Sequence, residues 1–496
     1  MTLEEILKKY TDSPSVKQIT NLLKDETSAT NDIHLTGMTG SMDAFVAGAV
    51  FKNTDYNHFF VCTDKEEAAY FQNNLKSVLG SKDVFFFPDS FKRPQDMTEL
   101  NNNNILLRTE AVNRLNNPNS RAELAVTYPE ALVEKVVKAE ELESQMLKLK
   151  VNEKLDVDFM IDLLVGFEFE RVDFVYEPGQ FSIRGDIIDI YSFGNEFPYR
   201  VELFGDEIES IRTFDPSTQL SQKKIASVTI VPNIQTHFGN EKKTSILDMF
   251  STNTIIWVKD AQVLVDVMNI CMERAKKVQP DVRKNRIEYP NHPLLEGEPE
   301  QVFLTSADFL KGIARFRVIE FGRASFFKAE HKVAFKSRPQ PSFNKNFELL
   351  ISNLHQNTEA GYSNLIFAEN VKQIERFYAI FDDLKAKVDF SPINLGIHQG
   401  FIDDDLKLAC YTDHQIFNRY HKYNLRQGFS RDKALLMKTL REMKPGDFVT
   451  HIDHGVGVFS GLEKIEVAGQ LQEAVRLIYS GNDILYVGIQ SLHKIS

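Results

Sequence analysis

A short apolar strand, a polar turn and an amphipathic helix recur along this chain, and that repeated unit restricts the fold more than any other feature. It appears at 58–61, followed by a helix over 65–79 and a strand at 84–87. It returns at 255–258 before a helix over 261–276, and at 365–367 before a helix over 371–385. Strands alternating with helices of this length predict parallel α/β sheets. Between the first two copies the texture changes. From Phe167 to Phe214 apolar and polar residues alternate, broken by the turn dipeptides Pro178-Gly179, Gly194-Asn195 and Gly205-Asp206. Period-two alternation punctuated in this way predicts an antiparallel sheet with one buried face. One α/β domain interrupted by a β-rich domain is the arrangement expected.

A chain of 496 residues is long enough for several domains. Its 42% hydrophobic and 26% charged residues are those of a globular protein, which excludes a disordered or fibrous chain. The formal net charge of -12 argues against a protein that coats nucleic acid without specificity, because that mode needs a positive surface to displace counterions. Three distant cysteines, Cys62, Cys271 and Cys410, provide neither a disulfide framework nor a CxxC metal site, so no metal and a reducing, cytoplasmic setting are expected. The opening MTLEEILKKY reads as an amphipathic helix rather than a signal peptide, and no apolar run approaches the length of a membrane span.

Toward the end, YNLRQGFSRDKALLMKTLREM is basic and helical in pattern, a connecting helix. From Lys444 short strands with glycine punctuation return, which predicts a small barrel. The asparagine run 101–104 reads as a solvated loop.

Two motifs bear on chemistry. Gly37-Met38-Thr39-Gly40-Ser41-Met42-Asp43-Ala44 lies between a strand-like IHL and a helix-like FVAGAVF, the position of a phosphate-binding loop. A working loop, G-x-x-x-x-G-K-[ST], wraps phosphate with backbone N–H groups, neutralises it with lysine and holds Mg²⁺ through a hydroxyl. Here those last three positions are Met42, Asp43 and Ala44, and a carboxylate in place of the lysine repels phosphate. The strand at 255–258 leads into Lys259-Asp260, where an ATPase would place its Mg²⁺-binding acid, and lysine there opposes a metal. Both read as degenerate, so no catalytic residue and no cofactor are expected in this chain.

The inserted region has another character. From Gly166 to Phe214 it carries four arginines (Arg171, Arg184, Arg200, Arg212), no lysine and eleven acids. Alternation sends Arg200, Glu202 and Phe204 to one face, opposite Val201 and Leu203. A solvated face with cross-strand ion pairs of little individual worth is one reading. Selection of arginine alone, beside an exposed aromatic, favours a protein interface, since the planar fork is weakly hydrated and directional.

The runs FERVDF, FxxRGDIIDIY and RVELFGDEIESIRTFDP resemble domain 2 of the excision-repair protein UvrB and the similar module of the Mfd family of transcription-repair coupling factors. The resemblance implies UvrA as a partner, with Arg171, Arg184, Arg200, Glu202 and Phe204 at the interface and Ser182 where UvrB has a further arginine. It also covers the flanking α/β parts, making 37–44 the counterpart of a phosphate loop. The segment matching UvrB's tyrosine-rich DNA-clamping hairpin, FFFPDSFKRPQDMTELNNNN, contains no tyrosine. At the other end, MKPGDFVTHIDHGVGVFSGLEKIEV and LIYSGNDILYVGIQSLHKIS resemble the polymerase-interacting domain of coupling factors, similar to CarD regulators. That implies docking on the RNA polymerase β subunit by strand addition, through Leu462, Lys464, Ile465 and Val467. His451 and His454 have no third ligand nearby and read as turn and core residues.

The expectation is therefore a multidomain α/β chain. A UvrB-like α/β domain (1–125 and 233–338) is split by a UvrA-binding domain (126–232). A small α/β domain of unassigned role (339–422), a linker helix (423–442) and a CarD-like, Tudor/SH3-type barrel (443–496) follow. Resemblance implies a role in transcription-coupled repair, with ATP, Mg²⁺ and most contacts to double-stranded DNA belonging to a motor beyond Ser496. A divergent UvrB-type helicase and a CarD-type transcription regulator are the alternatives.

Overall fold

The computed structural model describes residues 1–488 apart from 26–31, 81, 92–96, 98–100, 116–121, 138–145, 194–196, 217, 233–242, 287–291, 296, 420–445, 452–453, 468–469 and 480–482. The chain divides into two units, Met1–Met146 with Val231–Arg426, and Leu147–Ile230 with Gln427–Ser496.

The first unit is built on a seven-stranded parallel sheet. Its order is His331–Ala334, Ile33–Thr36, Arg317–Phe321, Thr254–Lys259, Asn57–Val61, Leu124–Thr127 and Phe85–Phe86. The central strands are almost wholly buried, as parallel strands covered on both faces must be. The helix Met42–Lys52 has no polar face and is buried nearly all round. By contrast Lys65–Leu79 is amphipathic and starts where Asp64 accepts the Glu67 N–H. The helix from Ala261 continues past the expected residue 276 to Lys284, because Val282 is buried and Gln279 donates to Gly297 O at 2.8 Å.

Two sequence expectations are corrected here. The insert does not begin at 126: Leu124–Thr127 is an inner strand of the large sheet, and the chain leaves this unit only at Leu147. The asparagine run is not a loop but the first turn of the helix Asn102–Leu115, with the Asn101 side chain accepting from Asn104 N–H and Asn104 buried against Phe91 O. Asparagine suits this place because its short side chain satisfies backbone donors that a helix start leaves open.

A second sheet in the same unit has the order Ser337–Pro339, Phe401–Asp403, Leu408–Thr412, Ser363–Phe367 and Ser391–Ile393, mixed in direction. Phe45 joins it to the first, its ring 5.7 Å from Phe401 and 6.0 Å from Phe367. The amino-terminal helix Leu3–Asp12 adds a hydrogen bond from Tyr10 Oη to Asp403 Oδ2 at 2.8 Å.

In the second unit, a six-stranded sheet runs Ser221–Ile225, Glu207–Phe214, Tyr199–Phe204, Ile187–Tyr191, Gln180–Arg184 and Glu170–Arg171, antiparallel except at the last pair. Leu147–Lys150 and Ser227–Ile230 pair where the segment enters and leaves. Separately, Phe448–His451, Gly455–Val467, Gln470–Ile478 and Ile484–Gly488 form a four-stranded antiparallel sheet. The turn at Gly194-Asn195 and the linker helix expected over 423–442 lie outside the described residues.

The core of the large sheet holds a polar chain. Trp257 Nε1 donates to His58 Nδ1 at 3.0 Å, the other ring nitrogen of His58 lies 3.0 Å from Thr54 Oγ1, and Thr54 donates to Val50 O. Burial lowers the His58 pKa to about 3. A histidine depressed in the folded state gives stability that is whole above its unfolded pKa of about 6.5 and is lost as pH falls toward 3. The urea midpoint followed by fluorescence of Trp257, the chain's single tryptophan, should therefore fall more between pH 7 and pH 4 in the native sequence than in His58→Phe.

Candidate functional site

The loop after Ile33–Thr36 stands where a phosphate loop would, and three of its backbone donors are engaged within the protein. Ser41 N–H donates to Gln399 O at 3.1 Å, Met42 N–H to Thr39 O at 3.3 Å, and Ala44 N–H to Asp43 Oδ1 at 2.8 Å. Its glycines serve packing. Gly37 has φ +78° and a Cβ there would lie 2.0 Å from Phe335 O, while a Cβ on Gly40, at φ +55°, would lie 2.6 Å from Gly400 O.

The charges of a nucleotide site are present with their signs exchanged. Lys259 Nζ, at the end of its strand, lies 3.4 Å from Asp43 Oδ2 and 2.5 Å from Glu67 Oε1. Burial opposes the Lys259 charge, but the two carboxylates outweigh it and hold its pKa above the usual range. Burial raises Asp43, whereas Glu67, although its burial pushes upward, is lowered by Lys259 and by hydrogen bonds from Thr63. Asp43 is the more deeply buried and also feels the Glu67 charge, whereas Glu67 has the closer ammonium and the two Thr63 bonds. A cavity of about 290 Å³ beside them is lined by Asp43, Asp64, Glu66 and Glu67 against the one ammonium of Lys259. Four carboxylates facing one cation repel a polyphosphate. Asp260, with φ +45°, accepts the Arg323 N–H at 3.0 Å and donates its own N–H to Phe321 O, so it pins the neighbouring turn.

The inserted sheet places Ser182, Asp189, Arg200, Arg212 and Lys224 in one cross-strand row. Its centre is Asp189, fully buried. Arg200 grips that carboxylate with a fork, Nε to Oδ1 at 2.8 Å and Nη2 to Oδ2 at 2.9 Å, and Arg184 donates to Oδ2 from the other side. The Arg200 guanidinium lies 4.6 Å from the Phe214 ring and that of Arg184 lies 4.7 Å from Phe174. Hydrogen bonding to Asp189 raises the Arg200 pKa further.

The reading of this face as solvated ion pairs of little worth does not hold for Arg200, since only 15% of its side chain is exposed and its partner is buried. Glu202 pairs with Arg212 and accepts from Ser210, whose bond lowers its pKa. Phe204, beside the Gly205 turn, is 80% exposed. Arg171 lies on the edge strand in register with Phe181, out of the polar row. Ser182 is buried and donates to Asp173 O at 2.8 Å.

In the four-stranded sheet, Leu462, Lys464, Ile465 and Val467 pair through their backbones with Val475, Glu473, Gln472 and Gln470. The neighbouring strand Phe448–His451 pairs only with Gly455–Val458 of this strand, so among the described residues the segment from Leu462 to Val467 has no strand partner on its other edge. The side chains of those four residues lie outside the described residues. His451 is buried and His454 exposed, and among the described residues no acid, histidine or cysteine cluster could hold a metal.

Asp189 was missed in the sequence, although the alternation of GDIIDIY places it on the face of Ser182. Gln399, far away in the chain, carries no signal at all.

Two of these sheets fall within segments that match known domain families. Residues 147–238 match the UvrB interaction domain and residues 443–496 match the CarD-like/TRCF RID domain. Along most of its length the chain is similar to bacterial transcription-repair-coupling factors. It is 22% identical to that of Bacillus subtilis (strain 168) over 527 residues, covering 93% of this chain and 44% of the relative. It is 24% identical to that of Staphylococcus aureus (strain USA300) over 419 residues, covering 71% and 35%. The chain thus spans less than half the length of these relatives.

Removing one member of a buried ion pair strands the other. Asp189→Ala should cost on the order of 3 kcal/mol in urea unfolding and Arg200→Glu a comparable amount, whereas Phe204→Ser should change stability by less than about 0.5 kcal/mol.

Proposed function

We propose that this chain acts by docking, as the UvrA- and polymerase-binding part of a transcription-repair coupling factor, and turns over no nucleotide beside Asp43. The observation that carries the reading is the presence in one chain of a preorganised arginine face and a strand whose outer edge is unpaired among the described residues. Neither needs chemistry to work. Arginine forks held by a buried acid offer directional donors at small entropic cost. The open edge from Leu462 to Val467 can take a further strand, with main-chain bonds giving affinity and Ile465 giving choice. On this reading UvrA docks through Arg184, Glu202 and Phe204, with Arg171 at the rim, and the RNA polymerase β subunit docks on the C-terminal sheet, a CarD-like barrel. The engaged N–H groups of Ser41, Met42 and Ala44 and the exchanged charges of Asp43 and Lys259 support the absence of ATP and Mg²⁺ from this pocket. An ATP-driven motor and the main contacts to double-stranded DNA are assigned to parts of the relatives that this chain does not match. Among the described residues no helix is long and apolar enough to cross a membrane, and no membrane partner is proposed.

The test is a pull-down of the purified chain against UvrA and against the polymerase β subunit, with and without ATP. Both should be retained, equally in the two conditions. Polymerase without UvrA would favour a CarD-type regulator, and measurable ATP affinity dependent on 37–44 would favour a helicase. Arg184→Glu combined with Phe204→Ser should weaken UvrA at least tenfold without moving the β-subunit affinity. Ile465→Glu should do the reverse; unchanged retention of the β subunit would remove this strand from the reading.

A further inference from the structure

The small α/β domain over 339–422 has no role assigned by the docking surfaces, yet one of its turns sits in the relic nucleotide loop. Gln399 is bound there twice: its carbonyl accepts from Ser41 N–H at 3.1 Å and its N–H donates to Ser41 Oγ at 2.9 Å. The neighbouring His398 N–H donates to Asn74 Oδ1 at 2.9 Å, and Asn74 Nδ2 returns to Ser41 Oγ at 3.1 Å. The His398 ring lies flat on Tyr70, with centroids 3.4 Å apart and planes 14° from parallel. From behind, His414 Nε2 lies 2.8 Å from His398 O and Gln415 Oε1 accepts Gly400 N–H at 2.7 Å, so the turn is presented by its own domain. Gly40 is bare because Gly400 O approaches within 2.6 Å of where its Cβ would be.

We propose that the His398-Gln399-Gly400 turn is the resident ligand of the former phosphate loop, and that binding it is the function of the Ser41–Asn74–Tyr70 cradle. The ligand class is a peptide main chain with one flat ring, in place of a phosphate chain with a base. The loop's donors, which once suited anionic oxygens, now meet a carbonyl, and the small domain becomes a clamp that fastens the two sheets of this unit together. The proposal is independent of whether UvrA or polymerase binds.

Residue-resolved amide hydrogen exchange on the whole chain tests it, since protection reports opening of a contact as a unit. In the unaltered protein the amides of Ser41, His398 and Gln399 should be protected and exchange at closely similar rates. Ser41→Ala removes one acceptor, and His398→Ala removes the stacked ring without touching a backbone bond. Each should speed exchange at all three sites at least tenfold, except that residue 41 is read as alanine in the first variant, while Thr254–Lys259 stays as slow as before. Unprotected His398 and Gln399 amides in the native sequence would overturn the proposal. So would acceleration at Gln399 alone in Ser41→Ala, or none in His398→Ala. Loss of UvrA or polymerase binding in the pull-downs would leave these rates where they are.

Discussion

The ammonium of Lys259 between Asp43 and Glu67 is the constraint around which the first unit is arranged. It joins the end of one central strand to the helix after another and to the helix after a third. A nucleotide site needs a cation on the loop and an acid on the strand. With the signs exchanged, the same two elements still attract each other, so the strand Thr254–Lys259 and the helix Met42–Lys52 keep their relation. The loop's N–H groups need acceptors, because buried backbone donors are costly when unpaired. Gln399 O and the Asp43 carboxylate supply them.

The second unit solves a different problem with the same device. A sheet face carrying several arginines would repel itself without an acid, and Asp189 provides one at the centre of the row. Because that acid is buried, its interactions are little screened by solvent. The arginines are therefore part of the domain's framework as well as its surface.

Much of this was legible in the sequence for physical reasons. Buried parallel strands are unbroken apolar runs and amphipathic helices have a strong period, and 58–61, 65–79 and 255–258 are a strand, a helix and a strand in the structure. The exchanged residues Asp43 and Lys259 were readable because charge is explicit in a residue's identity. What stayed hidden depends on distance in three dimensions. The strand Leu124–Thr127 looks like part of the insert until its neighbours Asn57–Val61 and Phe85–Phe86 are known. The Asn101–Asn104 turn, polar throughout, gave no helical period. Gln399 and His398 are ordinary loop residues until the fold brings them to Ser41 and Tyr70.

The hydrogen-bond inventory also separates two arginines that the sequence treats alike. A guanidinium has five N–H donors. Arg200 spends three nitrogens, on both oxygens of Asp189 and on Gln219 O at 3.2 Å, and its ring partner Phe214 is buried. Arg184 is 34% exposed, makes one firm bond to Asp189 and a long one of 3.4 Å to Asp173 O, and lies on the partly exposed ring of Phe174. On the docking reading a protein partner would meet donor capacity of Arg184 left over among the described residues and apolar surface at Phe204, whereas Arg200 would be reached only by stripping it from a buried acid. Arg200 therefore holds Asp189, Asp189 holds Arg184, and on the docking reading it is the exposed end of that chain that a partner would meet.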